Sequence, residues 1–172
     1  MRKYRIFVSG VQKELGPERR AVKNFIKSDA LLSEYFNVFL FEDAPAKGKS
    51  AQKSYIEEVR RSDIYIGILG QKYGGSGKDS LSPTEAEFRQ AKARHKEILI
   101  YIKGQNTNDK RRDPGVQKLI KEIRNPKAGY SYKRFEDASE LTDLVYESLI
   151  SFLKEKGEVG KAGFDQRICE GA

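Results

Sequence analysis

The chain has 172 residues, 38% of them hydrophobic and 34% charged, with nine Tyr and nine Phe to fill a core. That length suits one ordinary domain rather than two, and the composition speaks against disorder over most of it. Thirty-three Lys and Arg against 25 Asp and Glu leave a net charge of +8, which attracts phosphates, nucleic acid or anionic surfaces. The basic residues are dispersed, however, with one compact run at Lys110–Arg112, so a solvated basic surface is expected and nucleic acid is not an expected partner of this domain. Apolar runs such as Ile64–Gly70 fall far short of the roughly 18–20 residues that cross a bilayer, which points to the cytoplasm and to no membrane partner. A single cysteine, Cys169, excludes an internal disulfide and a Cys-based metal cage, and His95, the only histidine, excludes both a Ser-His-Asp triad and a His-rich metal site. No metal or cofactor is expected.

In chain order, the apolar and β-branched run Tyr4–Val8 reads as a buried strand that stops at Ser9 and Gly10. From Pro17 the period changes: Ala21, Val22, Phe25 and Ile26 recur at helical spacing, with Glu18 near the start and Lys27 near the end, as a helix dipole favours. A second strand is predicted at Asn37–Phe41. A loop follows, and then a helix from Ser50 that carries Tyr55, Ile56 and Val59 on one face and ends near Ser62.

Ile64–Leu69 is the clearest strand, feeding a glycine-rich loop from Gly70 to Leu81 that could bring backbone close to a ligand or stay mobile. This loop lacks the spacing of a phosphate-binding P-loop, and ATP hydrolysis is not supported. A helix from Ser82, a strand at Ile98–Ile102, a helix through Ile123, a strand-like Tyr130–Phe135 and an amphipathic helix from Ser139 to about Lys156 complete the pattern. Residues 1–156 form the expected domain. Residues 157–172, rich in glycine, read as a flexible tail opening a linker to a further C-terminal region.

Strand and helix alternate five times, which implies an α/β fold, a parallel sheet with helices on both faces. The common five-stranded order 2-1-3-4-5 is flavodoxin-like, and its ligand crevice opens at the carboxyl ends of the first and third strands. Ser9–Gln12, Gly70–Gly75 and the helix start at Ser82 would face it.

That helix opens with two glutamates. Ser82 fits the N-cap, Pro83 the first turn, and Glu85 completes an S-x-x-E capping box while preceding Arg89 by four, the favourable order for an ion pair. Helix building accounts for Glu85. It leaves Glu87, beside the stripe of Phe88, Ala91 and His95, as either an idle surface acid or a site residue. His95, near the helix end, suits a dipole or packing role.

The segments Ile6–Ile26, Leu40–Ala46, Ser62–Gly74 and Ser82–Ile102 together resemble the bacterial domain of unknown function numbered four-zero-six-two, itself similar to TIR domains and nucleoside 2-deoxyribosyltransferases. The resemblance covers about Arg5–Lys103 well. It implies a TIR-like three-layer fold and an N-glycosidic chemistry on a nucleotide or NAD-like small molecule. Thr84 with Glu87 matches the small-x-Thr-x-x-Glu pattern of the deoxyribosyltransferases, which makes Glu87 the candidate catalytic residue acting at the sugar C1′. One departure is Pro83, where that pattern has Gly; proline stiffens the turn and removes an amide donor. The resemblance also implies self-association and a role in signalling or anti-phage defence.

Ligand-binding candidates follow from position. Ser9, Gly10 and Gln12 end the first strand; Gly10 could equally serve the turn. Glu42, after the second strand, could hold a ribose or cap the next element. Asp63 matches a "D-hydrophobic" pattern of the related families or serves the strand edge. Tyr73 could stack on a base or pin the loop, and Gly70, Ser82 and Thr84 complete the set. Two functions stay open: a nucleotide-binding module that cleaves an N-glycosidic bond through Glu87, or a non-catalytic module that relays a signal to a C-terminal regulator.

Overall fold

The structure, a computed structural model, describes residues 2–75, 81–127 and 129–160. Residues 76–80 of the glycine-rich loop, and the expected tail beyond 160 with Cys169, lie outside the described residues. The elements run β1 (Tyr4–Ser9), α1 (Gln12–Ser28), α2 (Leu32–Tyr35), β2 (Phe36–Phe39), α3 (Ala51–Arg61), β3 (Ile64–Leu69), α4 (Pro83–Ala93), β4 (Glu97–Lys103), α5 (Pro114–Ile123), β5 (Tyr132–Phe135) and α6 (Ala138–Glu155). All strands are parallel, in the order β2-β1-β3-β4-β5. The winding reverses between β1 and β3, as the flavodoxin-like reading requires.

The central strands read as unbroken apolar runs because both faces of the sheet are covered. Ile6, Val8, Ile64, Ile66 and Ile68 turn to one side and join Val22 and Ile26 of α1 and Leu149 of α6. Their neighbours Phe7, Tyr65 and Leu69 turn to the other and join Val59 of α3, Phe88 of α4 and Leu119 of α5. Gly67 supplies a gap on that second face: a Cβ there would stand 2.9 Å from the Tyr65 ring and 3.0 Å from Ile100. The Tyr65 side chain therefore lies along the strand toward the carboxyl end, and its hydroxyl approaches Thr84 O at 3.5 Å.

Three local expectations shift. Helix α1 begins at Gln12, five residues before Pro17, because a turn anchored on Val11 O (Glu14 N at 3.1 Å, Leu15 N at 2.7 Å) precedes a break at Leu15, where the backbone leaves helical geometry. Strand β2 ends at Phe39, and Phe41–Asp43 forms a short 3-10 turn. His95 is exposed and takes φ 53° just past the α4 cap, so it closes the helix rather than extending the Phe88–Ala91 stripe.

Candidate active site

Glu87 owes its place to the way α4 starts. Ser82 is buried at the N-cap and accepts the Glu85 N–H at 3.2 Å, with Pro83 in the first turn. The reciprocal half of the capping box is absent: the Glu85 carboxylate accepts the Tyr73 hydroxyl and Arg89 Nη2 (2.8 Å), while Ser82 N–H donates to Tyr73 Oη at 3.3 Å. At about 100° per residue, a side chain two positions further points to the opposite side of the helix. Glu85 thus faces Tyr73 and Arg89, and Glu87 faces the end of β1.

There Ser9 Oγ–H donates to Glu87 Oε2, with Ser9 1% and Glu87 7% exposed. Arg19, on α1, braces this pair. Its Nη1 donates to Gly10 O at 3.0 Å and its Nη2 approaches Val8 O at 3.5 Å, so it grips the carbonyls on either side of Ser9. The same Nη2 meets Glu42 Oε1 at 2.8 Å in a pair whose side chains are both largely buried. A buried guanidinium is held only where carbonyls and a carboxylate replace water, and here they all come from the ends of β1 and β2.

These elements enclose a cavity of about 340 Å³ whose wall includes Gly10, Gln12, Arg19, Tyr55, Thr84 and Glu87. Burial pushes the Glu87 carboxyl up to about 7, against the lowering effects of the Ser9 hydrogen bond and the Arg19 charge; Glu42 adds to the rise. Near neutral pH the group is therefore divided between acid and carboxylate, which suits proton transfer or nucleophilic attack. Burial, and then the Glu87 charge, also raise the Tyr65 and Tyr55 hydroxyls, keeping both protonated. The Tyr55 ring packs on Phe41 with centroids 3.6 Å apart, which fixes its part of the cavity wall. Among the described residues, no group of three or more His, Cys, Asp or Glu is gathered as a metal site.

Of the residues singled out in the sequence, Gly10, Gln12, Thr84 and Glu87 line the cavity, Ser9 joins through Glu87, and Glu42 stands behind Arg19. Four are not brought there. Asp63 lies at the amino end of β3, where it accepts the Arg5 N–H at 2.8 Å and Arg2 Nη2 at 2.6 Å. Gly70 makes room for Glu14, whose Oε1 would lie 1.7 Å from an added Cβ; that carboxylate accepts the Gln71 and Lys72 N–H groups at 2.7 and 2.8 Å. Tyr73 pins the loop, its ring against Gly115 and its hydroxyl on Glu85. Ser82 is spent on the N-cap.

Residues 5–150 match the family described as Domain of unknown function (DUF4062). The chain belongs to this family. The DUF4062 domain is also similar to the solved structure of Clostridium botulinum CMP N-glycosidase, BcmB, with a TM-score of 0.52 and 13% identity over 83% of this chain and 98% of that one; the likeness is one of fold. No curated protein matches the sequence.

Within the DUF4062 domain, sequence reasoning overlooked Arg19, Tyr55 and Glu14. Tyr55 is read from sequence only as sharing one helix face with Ile56 and Val59, and it is partly buried there. Glu14 and Arg19 sit ahead of or within an amphipathic helix, where a charged residue ordinarily faces water. A signal was present for Arg19: it falls between Glu18 and Val22 on the side of the helix that carries the core residues Val22 and Ile26.

Proposed function

We propose that the domain binds a nucleotide or nucleoside derivative in the Glu87 cavity and cleaves its N-glycosidic bond. The observation that carries this reading is Glu87 itself: a buried carboxyl at the carboxyl ends of β1 and β3, hydrogen-bonded by Ser9 and ionising near pH 7. Breaking such a bond builds positive charge on the sugar, which an adjacent carboxylate stabilises or captures. The ionised Glu87 attacks C1′ as the C1′–N bond breaks. The base departs with the bonding electrons, a neutral base such as cytosine taking a proton from solvent and the cationic nicotinamide ring of NAD leaving neutral without one. Water then attacks C1′, releases the free sugar hydroxyl and regenerates Glu87, its second proton passing to solvent. Ser9 orients the carboxylate, while Arg19 and Glu42 hold the backbone around Ser9. The Clostridium botulinum neighbour is by its name a glycosidase of CMP, which supports this class of chemistry.

A second reading, ligand binding without turnover in a module that signals to a C-terminal region, is favoured by one feature: among the described residues lining the cavity, Glu87 is the one carboxylate. Incubation with CMP, deoxynucleosides and NAD, followed by chromatography of wild type and Glu87→Gln, separates the two. Free base from wild type alone is the expected result. Equal release by both proteins would remove Glu87 from the chemistry, and a ligand-raised melting temperature without release would leave the binding reading.

A further inference from the structure

The amino edge of the sheet, one strand length or roughly 20 Å from the carboxyl ends, carries a second concavity with a different character. A cleft of about 560 Å³ is lined by Arg60 and Arg61 from the end of α3, Arg94 and Lys96 from the end of α4, and Glu57. Cations near helix C-termini ordinarily answer the carbonyls there. Here most of those carbonyls are already served, and among the cleft cations only the Lys96 side chain is used for it. Glu58 O and Val59 O accept the Ser62 N–H, Val59 O also takes the Ser62 hydroxyl, and Arg60 O takes Lys96 Nζ at 2.8 Å. At the end of α4, Gln90 O, Lys92 O and Ala91 O accept the N–H groups of Arg94, His95 and Lys96.

The acids nearby are engaged as well. Both oxygens of Glu57 take Lys49 Nζ at 2.8 Å, Glu58 takes Arg5 and Arg61, and Asp63 takes Arg2. The guanidiniums of Arg60 and Arg94 make no hydrogen bond or ion pair among the described residues, and Arg61 reaches Glu58 only at 3.5 Å. Three forked guanidiniums and one ammonium around a concave surface match the multidentate geometry of phosphate groups, and among the described residues no aromatic side chain stands in the cleft wall to stack on a base.

We propose that this cleft binds closely spaced phosphates, those of a single-stranded nucleic-acid backbone or of a free polyphosphate, without reading bases. The site does not depend on the Glu87 chemistry. No stretch of sequence announces it, because residues 60–61 and 94–96 meet only when α3 and α4 pack side by side.

The test is fluorescence polarisation of a short labelled thymidine oligonucleotide across a salt series, with inorganic tripolyphosphate as unlabelled competitor. Wild type is compared with Arg60→Ala/Arg94→Ala and with Arg20→Ala/Lys27→Ala, a charge-matched pair on α1 across the sheet. Melting curves check that each exposed pair of substitutions leaves the fold intact. At about 0.7 in log affinity per log salt for each phosphate neutralised on a single strand, four cations give a slope near −3, and the cleft variant should be shallower by about 1.4. Competition by tripolyphosphate at similar concentration would assign the site to free polyphosphate; competition only by a second oligonucleotide would assign it to the longer backbone. Absence of binding at low salt, or equal loss in the α1 pair, overturns the proposal.

Discussion

Replacing Glu87 by glutamine tests whether this carboxyl is held buried and neutral. Its proton affinity is raised from 4.5 to about 7 by burial, so the folded state binds a proton that the unfolded state has already released between those values. The sign follows from linkage: stability falls as pH rises wherever the native state holds more protons. The contribution is fully present below about 4.5 and lost as pH passes 7. At 1.36 kcal/mol for each tenfold change in proton affinity, the loss approaches about 3 kcal/mol in the wild type. Glutamine keeps the shape of the protonated form, including an oxygen to accept the Ser9 hydroxyl, and carries no charge. Urea melts of both proteins from pH 5 to pH 8.5 give the comparison. The difference between them removes every other titrating group, and it should grow with pH until Glu87→Gln is the more stable protein above pH 7.5. A pH-independent difference, or a glutamine variant that becomes relatively weaker as pH rises, would refute the burial argument.

The other expectations are more local. Arg19→Ala strands Glu42 in a largely buried position and should cost about 3–5 kcal/mol, with part regained in Arg19→Ala/Glu42→Ala; a denaturation cycle that is additive would mean that the two do not pair. Ser9→Ala removes the hydrogen bond that lowers the Glu87 value, so the carboxyl should titrate higher, as read from the carbon-13 shift of a labelled Glu87 side chain. Gly115→Ala would set a Cβ 2.6 Å from the Tyr73 ring and should cost about 1–3 kcal/mol, whereas Gly16→Ala meets nothing within 4 Å in α1 and should be neutral or stabilising by up to about 1 kcal/mol. Thermal melts of the two alanine variants decide that pair.

The fold was legible because its strands are buried on both faces. Tyr4–Ser9 and Ile64–Leu69 carry apolar side chains to each side of the sheet, and continuous runs separated by amphipathic stretches have few readings other than a wound parallel sheet. What the pattern missed was short: α2 spans four residues and the turn before α1 only a few, lengths at which periodicity carries no information. The positively charged run Lys110–Arg112 shows the limit in the other direction. Arg111 pairs with Asp109 at 2.9 Å, and Arg112 is buried, donating to Asn106 O and Lys103 O at 2.9 and 3.1 Å. The most compact basic segment is thus built into a loop, while the exposed cationic cleft is assembled from residues more than thirty positions apart.

The candidate site divides along the same line. The helix start accounts for Glu85 and leaves Glu87 open between an idle surface acid and a site residue; the resemblance carried by Thr84 and Glu87 is what makes it the candidate. The structure sharpens that argument: Glu85 is committed to Tyr73 and Arg89 rather than to the Ser82 amide, so it is no freer than the capping box implied. Arg19 could not be isolated in this way, because its partners Val8 O, Gly10 O and Glu42 come from two different strand ends. Its role depends on the parallel pairing of β1 with β2, which carries Glu42 past the end of β2 to the same edge as Ser9. A carboxyl is recognisable from its own helix; the groups that hold it in place belong to the sheet, and only the strand order brings them together.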